Sequence, residues 1–187
     1  MKIALTYDDG PNEPYTRQIL DVLREFGAKA TFFVIGKWVR QFPAQVREIA
    51  SNGHQLGNHT ENHQQFSQIS QRQRYDEWLD CDNALDEAGI SGKPWLLRLP
   101  FGDVTDDFRA LHTRWDIHGG DWAADSVEAI TQPIFEHLDK GQDSIVLLHD
   151  GYYKEFGADR SKTVEATRRI LERYRDAEFV TISGFQS

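Results

Sequence analysis

The first 35 residues, MKIALTYDDGPNEPYTRQILDVLREFGAKATFFVI, place one helix-period segment between two short apolar runs. Residues 3–7 and 30–35 are rich in β-branched and aromatic side chains, which predicts two strands. A helix between them can begin at Pro14 and end at Gly27. Its predicted apolar face consists of Ile19, Leu20, Leu23 and Phe26. This stretch therefore predicts one complete β/α/β step.

The same alternation continues along the chain and predicts an α/β protein with a mostly parallel sheet, either a barrel or a layered sheet. Seven strands are predicted, at residues 3–7, 30–35, 55–57, 96–98, 114–117, 144–148 and 179–182. Further helices are predicted at residues 43–51, 70–88, 106–112, 127–139 and 162–174. With 187 residues, the chain is expected to form a single domain over residues 1–187.

Composition narrows the range of partners. Asp and Glu total 30 against 21 for Lys and Arg, and the net charge of −9 would repel nucleic acid and anionic lipid surfaces. The start of the chain has no signal-peptide pattern, and no run approaches the roughly 20 apolar residues of a membrane span. We therefore expect a monomer without a nucleic-acid partner or a membrane span. A cytoplasmic location is expected, unless a leader was removed from an exported protein.

Two adjacent carboxylates, Asp8 and Asp9, follow the first predicted strand and precede Gly10 and Pro11. Catalytic groups commonly lie where parallel strands open into loops. Because neighbouring side chains diverge, one carboxylate could bind a metal while the other acts as a base. A solvated Asp-Asp-Gly-Pro turn is the alternative interpretation.

Two histidines, His59 and His63, follow the third predicted strand at a spacing of four residues. On one helical turn both imidazoles would share a face, which suits a tetrahedral divalent metal with a carboxylate as third ligand. The metalloprotease motif is disfavoured because its glutamate directly follows the first histidine, whereas Thr60 does so here. Accidental proximity of two histidines is the alternative.

Three later stretches are weaker on their own. In residues 98–102, RLPFG, a turn could hold a backbone N–H outward toward an oxyanion. Residues 115–122, WDIHGGDW, and 145–150, IVLLHD, each place a titratable residue at a strand end. His149 there could be a general acid, although a structural histidine is the commoner case.

Taken together and in this order, these stretches resemble the NodB homology domain of the polysaccharide deacetylases, the fourth carbohydrate-esterase family. TYDDGPN resembles the family motif TFDDGP, HTENH resembles H-[ST]-x-x-H, and RLPFG resembles R-x-P-[YF]-G. GDW and LLH correspond to the end of D-x-x-D-W and to L-x-H. The resemblance implies a distorted, incomplete (β/α) barrel with its site at the carboxyl ends of the strands.

The resemblance also implies roles for individual residues. It assigns Asp9, His59 and His63 to a divalent metal, expected to be zinc, with cobalt or another ion as alternatives. Asp8 would be the general base, held by Arg98, and Thr60 would brace the histidine loop. His149 would be the general acid, oriented by Asp121, and Phe101 would offer its backbone N–H to the oxyanion. The implied substrate contacts are Pro100, Phe101, Trp122 and Leu147.

The implied activity is the removal of N-acetyl groups from N-acetylglucosamine-containing poly- or oligosaccharides, such as chitooligosaccharides or the peptidoglycan glycan. Three alternatives stay open: an O-acetyl esterase acting on acetylxylan, a carbohydrate-binding relic without turnover, and a ring-opening amidohydrolase. One departure from the family pattern concerns His118, which stands where the first aspartate of the fourth motif is expected.

Overall fold

The computed structural model describes residues 1–93 and 95–185 and contains one seven-stranded sheet. Its strands are β1 (Lys2–Asp8), β2 (Ala30–Val34), β3 (Gln55–Asn58), β4 (Leu96–Leu97), β5 (Ile117–His118), β6 (Ser144–His149) and β7 (Glu178–Phe179). The order is β4-β3-β2-β1-β6-β5, β7 joins the start of β1, and every pair is parallel. Among the described residues the end strands β4 and β5 do not pair, so the sheet is open. The predicted incomplete (β/α) barrel of about seven strands is confirmed.

Helices separate most of the strands. They are α1 (Tyr15–Glu25), α2 (Gly36–Gln41), α3 (Pro43–Ser51), α4 (Gln71–Glu87), α5 (Val127–Leu138), α6 (Ser161–Arg173) and α7 (Ile182–Phe185). Short 3₁₀ turns lie at Phe66–Gln68, Pro100–Gly102 and Asp106–Phe108. Within the part of the chain that the structure describes, no helix is long and apolar enough to cross a membrane.

The core forms around β1, whose residues 3–8 are buried on both faces of the sheet. Such two-sided burial is typical of a central parallel strand covered by helices. Helix α1 packs through Ile19, Leu20 and Leu23, as its apolar spacing predicts. The predicted Phe26 is instead about one-third exposed, because the helix ends at Glu25. Gly27 follows with φ 64° and lets Ala28 donate its N–H to the Leu23 carbonyl, which closes the helix.

Three local predictions were wrong, and one helix was missed. The helix predicted over residues 106–112 is only the turn Asp106–Phe108, because the chain then bends back until His112 bridges to Leu97. The strand predicted at 114–117 is instead the shorter and later Ile117–His118. Arg98 donates hydrogen bonds to the carbonyls of Thr113 and Arg114, so these carbonyls are not available to the sheet.

The strand predicted at 179–182 is shorter and earlier, at Glu178–Phe179, and Ile182 begins α7 instead. The amide of Ile182 donates to the Thr31 hydroxyl, which draws the chain out of the sheet. Helix α2 was not predicted at all, since it has six residues and no polar cap before it.

Candidate active site

The carboxyl ends of the parallel strands bring five of the singled-out stretches to one edge of the sheet. Asp8 ends β1 and is paired in register with His149 at the end of β6. His59 directly follows β3, and Arg98 directly follows β4. Because all these strands run the same way, side chains that are far apart in sequence meet at this edge.

A cavity of about 690 Å³ opens at this edge. Its wall includes predicted site residues from every motif: Asp8, Asp9, His59, His63, Phe101, Trp122, Leu147 and His149. Arg98 and Asp121 lie behind this wall, with 0% and 5% exposure. Pro100 is buried and does not border the cavity, so the wall gives no support to its predicted substrate contact, which stays a prediction. It begins the turn that carries Phe101 and acts as part of the scaffold.

Asp8 is held in place by the buried guanidinium of Arg98. Arg98 Nη1 donates to Asp8 Oδ1 at 2.9 Å and to the Thr6 hydroxyl at 2.7 Å. Its Nε donates to the Thr113 carbonyl at 3.3 Å, and its plane lies over the ring of Phe33. A planar, multidentate guanidinium fixes a carboxylate better than a flexible ammonium could. Asp8 therefore has one oxygen bound to Arg98 while its side chain borders the cavity.

The side chain of Asp9 points toward His59 and His63, because its backbone is left-handed, with φ 74°. The loop behind it packs closely against the loop that follows β6. A Cβ on Gly151 would lie 2.2 Å from the Asp9 carbonyl, and a Cβ on Gly10 would lie 2.2 Å from Asp150 Oδ2. Two glycines are thus required for the approach that carries Asp9 to the histidines.

Asp9, His59 and His63 form a buried cluster whose ligand atoms all lie within 4.8 Å of one another. Asp9 Oδ1 is 3.4 Å from His59 Nε2 and 3.2 Å from His63 Nε2. Burial would raise the pKa of Asp9, but the two imidazoles outweigh it and hold that pKa well below its usual range. The carboxylate is therefore ionised and able to act as a ligand.

The donor set fits a divalent cation. His59 Nδ1 lies 2.7 Å from the Arg98 carbonyl, which can only accept, so this nitrogen carries the hydrogen in the neutral ring. The lone pair of His59 Nε2 then faces Asp9 Oδ1, which is buried and has no hydrogen-bond partner among the described residues. Converging lone pairs with no hydrogen between them are stabilised by a cation, and one carboxylate with two imidazoles suits zinc-like ions.

The histidine loop is not the helical turn that the spacing suggested. Thr60 and His63 both have positive φ, at 69° and 59°, which an α-helix excludes. Side chains brace this shape: Asn58 Oδ1 accepts from the Thr60 amide at 2.7 Å, and the Thr60 hydroxyl accepts from the His63 amide at 3.2 Å. The loop, and not a shared helix face, brings the two imidazoles together, with ring centroids 4.9 Å apart.

His149 and Asp121 form a second charged pair across the cavity. His149 Nδ1 lies 2.9 Å from Asp121 Oδ1, and Asp121 Oδ2 accepts from the His149 amide and from the Thr163 hydroxyl, each at 2.8 Å. Burial lowers the pKa of His149, but Asp121 more than offsets this and raises it to about 9. The imidazolium is thus available as a proton donor near neutral pH.

This pair gives a testable pH dependence. If the protonated His149 is required, activity falls as pH rises through its pKa. Asp121→Asn removes the charge that raises that pKa but keeps an oxygen that can accept from Nδ1–H. We expect the alkaline limb of kcat/KM to move to lower pH, measured on an N-acetylated oligosaccharide, the substrate class that the sequence resemblance implies. The control is Asp125→Asn, an exposed carboxylate of the same loop; an unmoved limb in Asp121→Asn would contradict the pairing.

Aromatic rings frame the opening of the cavity. Phe101, whose backbone is left-handed with φ 59°, is 57% exposed, and Trp122 is 50% exposed. Trp122 contacts both His149 and His118, with ring centroids 5.2 and 5.1 Å apart. The departure at His118 therefore places an exposed imidazole against the tryptophan, where the family pattern has a carboxylate.

Sequence reasoning missed several residues of the wall, chiefly Trp115, Tyr152, Tyr153 and Arg160. Tyr152 and Tyr153 could have been found, because they follow His149 closely in the loop that leaves the same sheet edge. Trp115 begins the stretch 115–122, but no role was predicted for it, and Arg160 lies at the far end of the loop that follows His149.

The site combines a buried carboxylate and two imidazoles with a second carboxylate and a protonated histidine. This combination is typical of hydrolytic metal sites. The family model for polysaccharide deacetylase matches residues 1–119, and the chain belongs to this family, as the motifs indicated. The chain is 36% identical over 192 residues to a peptidoglycan-N-acetylglucosamine deacetylase of Bacillus cereus, covering 97% of this chain and 86% of that protein.

Two further proteins that are similar to the chain are also deacetylases by name. The chain is 36% identical to a chitooligosaccharide deacetylase of a Bradyrhizobium species, over 89% of this chain and 77% of that protein. Its fold matches the structure of the peptidoglycan deacetylase PdaC from Bacillus subtilis with a TM-score of 0.82 and 27% identity. That match covers 98% of this chain and 89% of the PdaC chain.

Proposed function

We propose that this protein hydrolyses the N-acetyl group of N-acetylglucosamine-containing glycans with the help of a divalent metal, zinc being the best fit. The observation that carries the proposal is the convergence of a candidate metal cluster, Asp8 and His149 on one cavity. The deacetylase names of the Bacillus cereus and Bradyrhizobium relatives support the substrate class.

Amide hydrolysis needs an activated nucleophile, a stabilised oxyanion and a protonated leaving amine. An ion held by Asp9, His59 and His63 would supply a Lewis acid beside the acyl group and increase the acidity of a nearby water. Asp8 is the base in this proposal, because Arg98 binds its Oδ1 and leaves Oδ2 for the water proton. The backbone N–H of Phe101, in the cavity wall, would donate to the oxyanion.

The leaving amine departs only after it gains a proton. His149 supplies that proton, because its imidazole borders the cavity while Asp121 binds the opposite ring nitrogen and maintains its charge. Leu147 and Trp122 would line the pocket for the acetyl methyl group, since both lie beside His149 in the wall. No covalent acyl-enzyme is required by this arrangement.

The direct test of the activity is mass spectrometry of N-acetylglucosamine oligomers after incubation with the protein and a divalent ion. A stepwise loss of acetyl groups, each replaced by hydrogen, is expected. Acetylxylan serves as the comparison substrate. Release of acetate from acetylxylan alone would replace the proposal with the esterase alternative.

The proposed ligands give a separate prediction. Asp9→Ala, His59→Ala and His63→Ala should each lower bound metal well below one equivalent, because a three-residue site has no spare ligand. Metal content is measured by plasma mass spectrometry after equilibration with zinc and removal of free ion. His118→Ala, which removes an exposed histidine outside the cluster, should keep its metal. Full occupancy in all three cluster variants would refute the ligand assignment.

A further inference from the structure

The two histidines of the cluster are held in different ways. The second ring nitrogen of His59 is bound to the Arg98 carbonyl at 2.7 Å. The corresponding nitrogen of His63, Nδ1, is buried and has no hydrogen-bond partner within residues 1–93 and 95–185. Histidines that bind metals almost always donate this second N–H to an oxygen, which fixes the orientation of the ring. His63 therefore needs another constraint.

Aromatic rings surround His63 instead. The ring of Tyr153 stacks on the imidazole, with centroids 4.3 Å apart and planes 16° from parallel. Phe101 meets the same imidazole edge-on at 4.6 Å and 77°, and it also contacts Tyr153 at 5.5 Å and 86°. Rotation of the imidazole out of its plane would collide with the tyrosine face. These contacts thus fix the ring plane without a polar partner.

Tyr153 is itself well anchored, although it comes from the long connection between β6 and α6. Lys37 Nζ donates to the Tyr153 carbonyl at 2.6 Å. Three residues further on, Phe156 stacks on Phe42 with centroids 3.8 Å apart. The amide of Lys37 also donates to the Glu61 carbonyl in the histidine loop at 3.1 Å. Helix α2 and its end therefore contact both the loop that carries His63 and the loop that carries Tyr153.

We propose that Tyr153 is a positioning residue for His63, whose ring face holds the imidazole ready to bind the metal. This proposal rests on the proposed function, since it concerns one ligand of the candidate metal cluster. A cation bound to His63 would draw positive charge onto the imidazole, and the electron-rich face of tyrosine stabilises such charge. The aromatic ring carries the effect, and the tyrosine hydroxyl is not needed for the contact.

The test measures metal affinity directly, by competition between the protein and a chromophoric chelator for Zn²⁺. Tyr153→Leu and Tyr153→Met keep apolar bulk but lose the planar face. We expect each to weaken the affinity about 10-fold, the lower end of the effect of losing a partner of a ligating histidine. Tyr153→Phe should restore the wild-type affinity. In Co²⁺-loaded protein, the visible absorption bands should shift in Leu and Met variants only.

Controls separate a positioning role from a general loss of structure. The melting temperature of the metal-free Tyr153 variants should stay near that of the wild type, because Tyr153 is only half-buried. Tyr152→Leu removes a tyrosine of the same connection whose ring contacts Tyr153 and, among the described residues, no histidine ring, so the metal affinity of this variant should be unchanged. Equal weakening in Tyr152→Leu, or in Tyr153→Phe, would overturn the proposal.

His63→Ala distinguishes the two levels of inference. If His63→Ala binds Zn²⁺ as tightly as the wild type, the ligand set of the proposed function fails. If His63→Ala loses the metal while Tyr153→Leu and Tyr153→Met keep wild-type affinity and Co²⁺ spectra, only the role of Tyr153 is overturned.

Discussion

Asp8→Asn is expected to lower kcat on N-acetylated oligosaccharides by about 10²- to 10⁴-fold, the usual contribution of a positioned general base. The amide has nearly the same size and can still accept the Arg98 Nη1 hydrogen bond, but it cannot take a proton from water. Because Asp8 is not in the metal cluster, bound metal should stay near the wild-type level. Steady-state kinetics and metal analysis on the same preparation measure both quantities.

The matched control for Asp8→Asn is Asp106→Asn, which removes one carboxylate charge at a side chain that is 95% exposed. It should leave kcat unchanged. If Asp8→Asn lost its metal, and the lost activity were explained by that loss alone, Asp8 and Asp9 would have to exchange roles. A rate equal to that of the wild type would remove Asp8 from the chemistry altogether.

His149→Ala should slow hydrolysis of N-acetylated sugars by about 10²- to 10⁴-fold, because an amine leaves only with a proton. Aryl acetates should be affected much less, since a phenolate departs unaided. The ratio of the two losses is the measurement, and it is made on one enzyme preparation with both substrates. The partly buried pairing of His149 with Asp121, at 2.9 Å, is the structural basis for this expectation.

The control for His149→Ala is His118→Ala, which removes the other imidazole that contacts Trp122. It should not change the ratio of amide to ester hydrolysis, since His118 is exposed and is not among the residues that line the cavity. Equal losses on both substrates in His149→Ala would instead indicate a role in binding or in oxyanion stabilisation.

Much of the sheet could be predicted from the sequence because its central strands are locally distinctive. β1 and β2 are rich in apolar, β-branched and aromatic residues, and the intervening helix has a clear 3.6-residue period, so these three elements were predicted correctly. Short elements were less predictable. Ile117–His118 and Glu178–Phe179 contain two residues each, and their positions depend on hydrogen bonds from residues distant in sequence, such as those of Arg98.

The candidate site, like the sheet, could be predicted only in part. Its residue types, and the sheet edge where they meet, could be inferred from five motifs that end parallel strands. The spacing of His59 and His63 suggested a helical turn, whereas positive φ at Thr60 and His63 gives a loop. That loop shape depends on tertiary partners, including the Gly36 amide bound to the Thr60 carbonyl at 3.0 Å, which no local pattern specifies.

The sequence by itself determined the α/β class, the approximate positions along the chain of the strands that carry the motifs, and the identity of the acidic and imidazole groups. Local periodicity and residue chemistry suffice for these properties. Only the tertiary structure decided that the backbone of Asp9 is left-handed, that Pro100 does not border the cavity and that Tyr153 stacks on His63. Those outcomes depend on close packing between segments that are distant in sequence, as with Gly151 against the Asp9 carbonyl and Gly10 against Asp150. Steric contact of this kind exists only after the chain has folded.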